Sequence, residues 1–509
     1  MRTKYAINNI LLQTTTLVSG ILLYFFLTPY IVRSLGNEVY GINQLLLQTI
    51  GYFGIAEMGI GISLSVLLYK ELVHNNIENT NALLSAAQRI YMVIGGSIAV
   101  VGLIFSFFFN HLFSIPAEYA VQTQIAFLLY IASAASTYFL SVPATLLNTA
   151  QKGYKTYMYQ LLRPFLTYGS YVVLVYFGFS IIGIAAASFT VALWYVIGAN
   201  RKAYIEFPWI NIWQTNKNYE ILKTSKYVFA EKLLILVLFQ TDIILISYFL
   251  GVDKIAGYAL YAVFFFYVKE FIIIGSNNIV NGAGELYQRG ETDRVYQLWR
   301  DSMSIVFFIG TQIGIGLYFL FPAFFKLWMN DELLLSNAVL FFFILNLFYI
   351  ITIHPTATII GSQNYYQKRL KGSVAEIIVN VIISCVLIPR IGILGALIGT
   401  SIGHYCINAW FIPLLFFQSV KKSFGIYLQM CLRYGSILVC VALANYIYFS
   451  KIVFPLLQNM LSWFTLIEGF LLFLVFSPPV SVFLYYIIDP NYKKAVLRIQ
   501  SIVALAIKR

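Results

Sequence analysis

Long apolar runs separated by short polar links fill this chain from end to end. Each run holds about twenty residues, enough to cross a ~30 Å hydrocarbon core as a helix. Inside lipid only helices and closed barrels satisfy the backbone, and these runs are too long and continuous for barrel strands. The pattern predicts an all-α polytopic membrane protein with fourteen spans, at 6–32, 39–68, 88–110, 121–148, 157–178, 181–199, 226–250, 255–281, 302–325, 336–360, 372–388, 391–417, 428–449 and 463–488. The longest link, 200–225, is polar and basic and carries Pro208 beside Phe207, Trp209 and Trp213, which predicts a linker with an interfacial segment.

The runs repeat. Adding 212 carries Pro143 to Pro355, Gln151 to Gln363, Tyr154 to Tyr366, Gly183 to Gly395 and Ser188 to Thr400. Weaker echoes relate Leu35-Gly36…Gly41 to Leu250-Gly251…Gly257, and Glu71-Leu72 to Glu285-Leu286. Ordered matches with drifting offsets fit an old internal duplication, a common feature of transporters. The expected organisation is two pseudo-symmetric six-helix lobes plus two extra C-terminal helices. The divisions fall at 1–205 (first lobe and start of the linker), 206–425 (linker and second lobe) and 426–509 (helices 13 and 14 with a basic tail).

Composition agrees with a membrane protein: 60% of residues are hydrophobic and 10% charged, against roughly 25% charged in soluble domains. The net charge of +13 at first suggests nucleic acid, but its distribution does not. With the N-terminus inside, 24 Lys and Arg fall in or beside inner links and 5 in outer ones. That asymmetry is a positive-inside signal, placing both termini in the cytoplasm. Only Met1 to Tyr5 precede the first run, which has no small-residue cleavage site, so no cleaved signal peptide is expected. The four cysteines, Cys385, Cys406, Cys431 and Cys440, sit in apolar runs at no metal-binding spacing and read as free buried thiols.

Chemistry is limited by what the links contain. None is long enough to hold a folded domain, and none of the links carries a Walker, H-E-x-x-H, G-x-S-x-G or paired Cys-x-x-Cys motif. The expectation is a non-enzyme with no catalytic residues, metal or cofactor.

Ionisable groups at membrane depth are therefore the candidates, since each costs about 2.5–3.5 kcal/mol to insert. They are Glu57 in helix 2, Glu231, Lys232 and Asp242 in helix 7, and Lys269 and Glu270 in helix 8, with Arg33 and Arg163 nearer the edges. Glu231 and Asp242 are eleven residues apart and share a helix face. Glu270, Asn277 and Asn281 share another, and Asn43, Ile50 and Glu57 form a third stripe. Lys269, Lys232, Arg33 and Arg163 would attract a phosphate or pyrophosphate headgroup. Glu57, Glu270, Asp242 and Glu231 would hold those cations or carry a coupling proton or sodium ion. Glu376 and Glu468 are expected in shallow parts of their helices, Arg433 at the interface, and His354 and His404 as hydrogen-bonded packing residues.

Thr28-Pro29…Arg33-Ser34-Leu35-Gly36…Tyr40-Gly41 closes helix 1, and Phe53-Gly54-Ile55-Ala56-Glu57-Met58-Gly59-Ile60-Gly61 forms an acidic-x-Gly-x-Gly segment in helix 2. With the Gln151-Lys152-Gly153 link and the Gly183-Ile184-Ala185-Ala186 turn, these segments resemble those of the polysaccharide biosynthesis flippases, members of the multidrug/oligosaccharidyl-lipid/polysaccharide (MOP) exporter superfamily. The resemblance covers about the first 425 residues. It implies a cavity lined by helices 1, 2, 7 and 8 and alternating-access export of polyprenyl-pyrophosphate-linked oligosaccharide across the bacterial cytoplasmic (inner) membrane. It also implies work alongside a polysaccharide polymerase and glycosyltransferases, in O-antigen or capsule synthesis. A multidrug/cation antiporter of the same superfamily and a membrane glycosyltransferase or polymerase are the alternatives.

Overall fold

The computed structural model describes residues 2–53, 55–150, 152–215, 218–221, 241–280, 283–329, 331–362, 366–457, 462–489 and 491–493. Among them every regular element is helical, and ten helices are long and apolar enough to cross a membrane. The chain is thus a multi-pass membrane protein. It divides into two compact units, Met1–Ala259 and Leu260–Arg509.

The first unit contains α1 (Arg2–Leu35), α2 (Asn37–Phe53), α3 (Ile55–Val73), α4 (Ile77–Leu112), α5 (Ala117–Leu140), α6 (Val142–Thr149), α7 (Tyr157–Tyr176), α8 (Ile181–Glu206), α9 (Thr241–Leu250) and the start of α10 (Ile255–Val280). Helix α5 packs between α4 and α8, and α1 lies along α7. Ile31, Val175 and Ile184 form the centre of the α1–α7–α8 contact. Lipid is as apolar as leucine, so helix association in a membrane draws on close packing and interhelical hydrogen bonds. Both are present. Phe109 stacks on Phe127 with ring centroids 4.9 Å apart, and Tyr130 donates to Asn43 Oδ1 at 2.8 Å.

The run expected at 88–110 is the apolar part of a longer helix. Helix α4 has 36 residues and starts at Ile77, where Asn76 caps it by accepting from the Asn79 backbone at 3.1 Å. Hydropathy marks only the apolar crossing, and the polar first turns continue the helix beyond it. Those turns are buried because the link after α8 folds onto them. Asn81 Nδ2 donates to Trp209 O at 3.0 Å and Asn81 Oδ1 accepts from Asn211 N at 2.9 Å. Ser85 Oγ donates to Asn211 O at 3.1 Å and accepts from Gln214 N at 2.9 Å. The expected interfacial linker is thus clamped, over its described part, to α4.

The second unit contains the rest of α10, α11 (Ala283–Gln288), α12 (Thr292–Trp328), α13 (Asn337–Ser362), α14 (Tyr366–Ile391), α15 (Ile393–Gly403), α16 (Ala409–Ser419), α17 (Gly425–Tyr448), α18 (Phe454–Leu456) and α19 (Trp463–Ile488). Helix α12, 37 residues long, likewise starts before its predicted span, and it packs on α13 and α19. Trp299, fully buried, stacks on Phe416 at 4.9 Å and donates to Thr356 Oγ1 at 2.8 Å. The extra C-terminal pair docks on α12 through polar contacts. Ser477 donates to Gln312 Oε1 at 2.9 Å, and Asn445 donates to Ser477 Oγ at 3.1 Å. Buried Asp489 accepts from Ser304 at 2.6 Å and Tyr434 at 2.8 Å, with Arg433 at 3.6 Å. Outside the spans, Lys422 pairs with Asp293 at 2.8 Å, and that partner raises the lysine above its ordinary range.

The sequence repeat has a backbone counterpart. Gly36, between α1 and α2, and Gly251, between α9 and α10, have φ of 83° and 90°. Gly178, between α7 and α8, and Gly392, between α14 and α15, have φ of 81° and 66°. L-residues with a Cβ avoid this left-handed region, so the glycines fix the turns.

The run expected as one helix at 391–417 is interrupted. Between α15 and α16, residues His404–Asn408 form a π-helical turn.

Candidate functional site

Asp242 lies near the start of α9 and Tyr258 one turn into α10. The Gly251 turn brings them together, and Tyr258 Oη donates to Asp242 Oδ2 at 2.8 Å. Beside them the hydroxyls of Tyr52 on α2 and Thr241 are 2.8 Å apart. Asp242 is 8% exposed, so it is a buried polar group of the first unit.

Further along α10, Lys269 Nζ lies 3.0 Å from Glu270 Oε1 and 4.4 Å from the centre of the Phe266 ring. Adjacent helical residues diverge by about 100°, so the long lysine stem bends back to reach its neighbour. The side chains are 15% and 33% exposed. The pair and the ring contact offset part of the desolvation of two charges at this depth.

Two residues of the same helix, Phe264 and Val268, line an apolar groove of about 590 Å³. Helix α12 supplies Ile313, Gly316 and Leu320, and α19 supplies Leu466 and Phe470. Trp463 stands at the start of α19. Gln312 is the polar lining residue, and its amide is occupied by Ser477 and Ser481. The groove draws on residues from Phe264 to Leu474, so no local stretch announced it.

The remaining sequence candidates are dispersed. Arg33 is exposed at the end of α1. Arg163 is exposed on α7, with its guanidinium carbon 5.1 Å from the Tyr195 ring centre. The α1–α7 contact at Ile31 and Val175 lies at the Arg33 end, about 18 Å by helix rise from Arg163. The two arginines therefore sit at opposite ends of this helix pair. Glu231 and Lys232 lie outside the described residues, as do the side chains of Glu57 and Asn277.

Sequence reasoning missed one buried cluster. Glu376 is 3% exposed rather than shallow. Its carboxylate contacts His404 Nδ1 and accepts from Asn408 Nδ2. Gly395, Gly399 and Gly403 recur every four residues along α15 and allow this closeness. A Cβ on Gly399 would stand 2.9 Å from Asn380 O, and one on Gly403 would stand 3.0 Å from Glu376 O.

No protein-family model matches the sequence, and no curated protein matches it. Solved structures do. A lipid II flippase, MurJ, in an inward closed conformation, superposes with a TM-score of 0.69 at 15% identity, over 95% of this chain and 99% of its own. The chain has the fold of the MOP-superfamily transporters. A multidrug resistance MATE family transporter of that superfamily, inward-facing, gives 0.60 at 16% identity over 78% of this chain and 93% of its own. A MOP-superfamily transporter from Pyrococcus furiosus, described as having a binding pocket of reverse polarity, gives 0.59 at 15% identity over 83% of this chain and 97% of its own. All three are transporters, and the expected kinship with a flippase fold agrees with them.

Proposed function

We propose that this protein is a flippase that moves polyprenyl-pyrophosphate-linked oligosaccharide from the cytoplasmic to the outer leaflet of a bacterial inner membrane, by alternating access. The observation that carries this reading is the pairing of functions on α10. One helix presents Lys269 at depth and, through Phe264 and Val268, a wall of the apolar groove. A cation on the helix that also walls an apolar trough suits an amphiphile with an anionic head and a hydrocarbon tail. A soluble substrate has no use for the trough.

In this reading Lys269 contacts the headgroup, with Lys232, Arg33 and Arg163 as further cationic candidates. Asp242, Glu270, Glu57 and Glu231 are the counter-charges or carriers of a coupling H+ or Na+. Fourteen crossings, both termini in the cytoplasm, and lobes at 1–205 and 206–425 with an accessory pair at 426–509 belong to the same proposal. So do a polysaccharide polymerase and glycosyltransferases as working partners.

A second reading, a multidrug/cation antiporter, is favoured by the carboxylates Asp242 and Glu270 on the α9–α10 hairpin. Reconstituted vesicles decide between them. Transport of a fluorescent polyprenyl-pyrophosphate oligosaccharide, with none of an organic cation, is the expected result, and the reverse selectivity would overturn it.

A further inference from the structure

The second unit buries an acid–base pair outside the α10 site. Glu376 stands on α14, ten residues or about 15 Å from its start. His404 and Asn408 come from the π-helical turn opposite. The three are 3%, 2% and 3% exposed. One carboxylate oxygen meets His404 Nδ1 and the other accepts from Asn408 Nδ2. Tyr349 on α13 stacks on the imidazole, ring centres 4.2 Å apart and planes 18° from parallel. His404 Nε2 and Asn408 Oδ1 are buried without a hydrogen-bond partner. A π turn inserted between α-helical segments is itself a frequent mark of a functional site.

The ionisable groups around Tyr349, the ring stacked on the imidazole, come from three elements: Glu376 and Arg369 from α14, Tyr405 from the π turn and Tyr427 from α17. Tyr405 and Tyr427 spend their hydroxyl protons on backbone oxygens, of Leu345 and Ala409, at 2.9 and 2.8 Å. Arg369 lies seven residues before Glu376, two turns nearer the helix end.

A carboxylate beside a neutral imidazole would leave an uncompensated charge here, which is costly in an apolar interior. One added proton on the pair removes it. With Nδ1 engaged by the carboxylate, the imidazole atom available to gain or lose that proton is Nε2. We propose that Glu376 and His404 form a proton-carrying pair, loaded and unloaded at His404 Nε2, within the helices of the second unit. On uptake, one proton from water binds the Nε2 lone pair and gives an imidazolium facing the carboxylate. On release, that N–H bond breaks and the proton returns to water, leaving the carboxylate charge unneutralised. Its coupling to transport rests on the transporter reading, and its existence does not.

A sodium ion fits less well. Both carboxylate oxygens already face nitrogen atoms, and Asn408 Oδ1 is the oxygen of this cluster left without a partner. Hard cations need several oxygens.

The test begins without substrate. Imidazole NMR of the full-length protein in nanodiscs follows its four histidines from about pH 5 to about pH 9. We expect a titrating resonance that vanishes in His404→Gln. That titration should change in Glu376→Gln, where the counter-charge is gone. Asn408→Ala provides a further variant should Glu376→Gln fold poorly, since it keeps both titrating groups. A His404 resonance unchanged over that range would overturn the pair. So would a titration shifted by Na+ but not by K+, which would mark a metal site. In vesicles, transport driven by a proton gradient should fall at least tenfold in His404→Gln while counterflow persists. Equal loss of both, or of neither, would overturn the coupling. Titration in a protein that transports neither substrate class would sink the transporter reading alone.

Discussion

Tyr258 donates its hydroxyl to Asp242 at 2.8 Å, across a turn that Gly251 holds in the left-handed region. The bond joins α9 to α10 within the first unit and gives a buried carboxylate a defined orientation. Tyr258→Phe removes the donor and leaves the acid in place. We predict a loss of about 1–2 kcal/mol in stability, as measured by thermal melting in detergent. Asp242→Asn keeps an oxygen for that bond and removes the charge. If the charge serves transport, its rate falls at least tenfold with the melting point little changed. Equal rates in Asp242→Asn and wild type would assign Asp242 to structure alone.

Lys269 offers a sharper test of headgroup recognition. Lys269→Ala should reduce transport of the pyrophosphate-linked substrate at least tenfold, about 1.4 kcal/mol. It also leaves Glu270 without its 3.0 Å partner, so Lys269→Arg is the control and should retain most activity. Normal export by Lys269→Ala, in cells where surface abundance is matched, would remove the cation from the mechanism.

The groove can be filled without touching a charge. A Cβ on Gly316 would already lie 3.2 Å from the Phe473 ring, so Gly316→Leu should occupy the trough between α10, α12 and α19. Transport of the long-chain polyprenyl substrate should drop several-fold, and a short-chain analogue should be less affected. An identical loss for both chain lengths would mean that the groove does not hold the tail.

Two glycines near the first turn should fail for different reasons. Gly36 has open space around a would-be Cβ but a φ of 83°, so Gly36→Ala costs about 1–2 kcal/mol of backbone strain. Gly36→Asn, which tolerates that region, should recover part of it. Gly41 has no such φ, but its Cβ would meet Val252 O at 2.5 Å. Alanine and asparagine should both destabilise there, by about 1–3 kcal/mol or more, through overpacking. Melting curves of the four variants separate the two causes.

These outcomes follow how legibility was distributed along the chain. The apolar crossings were readable because hydropathy is local, and the turns at Gly36 and Gly251 were readable because the Leu-Gly pair recurs. The polar first turns of α4 were not, since Asn81 and Ser85 look solvent-bound until Trp209 and Asn211 fold onto them. Lys269 and Asp242 stood out as charges in apolar runs. Glu376 reads as shallow from its place near a helix end, and His404 as a hydrogen-bonded packing residue. Their union needed two helices to approach within glycine distance. The signal was there in Gly395, Gly399 and Gly403, whose four-residue spacing leads to His404, with Asn408 one turn on.

Trp463 gives the groove an optical consequence. It lines the trough while 46% exposed, whereas Trp299 is buried between Phe416 and Thr356. A hydrocarbon chain entering the trough would dehydrate one indole and leave the other as it was. The protein therefore carries its own fluorophore at the groove and an internal reference in its core. In a variant keeping only these two of its seven tryptophans, a blue shift in emission would report tail binding without any added label.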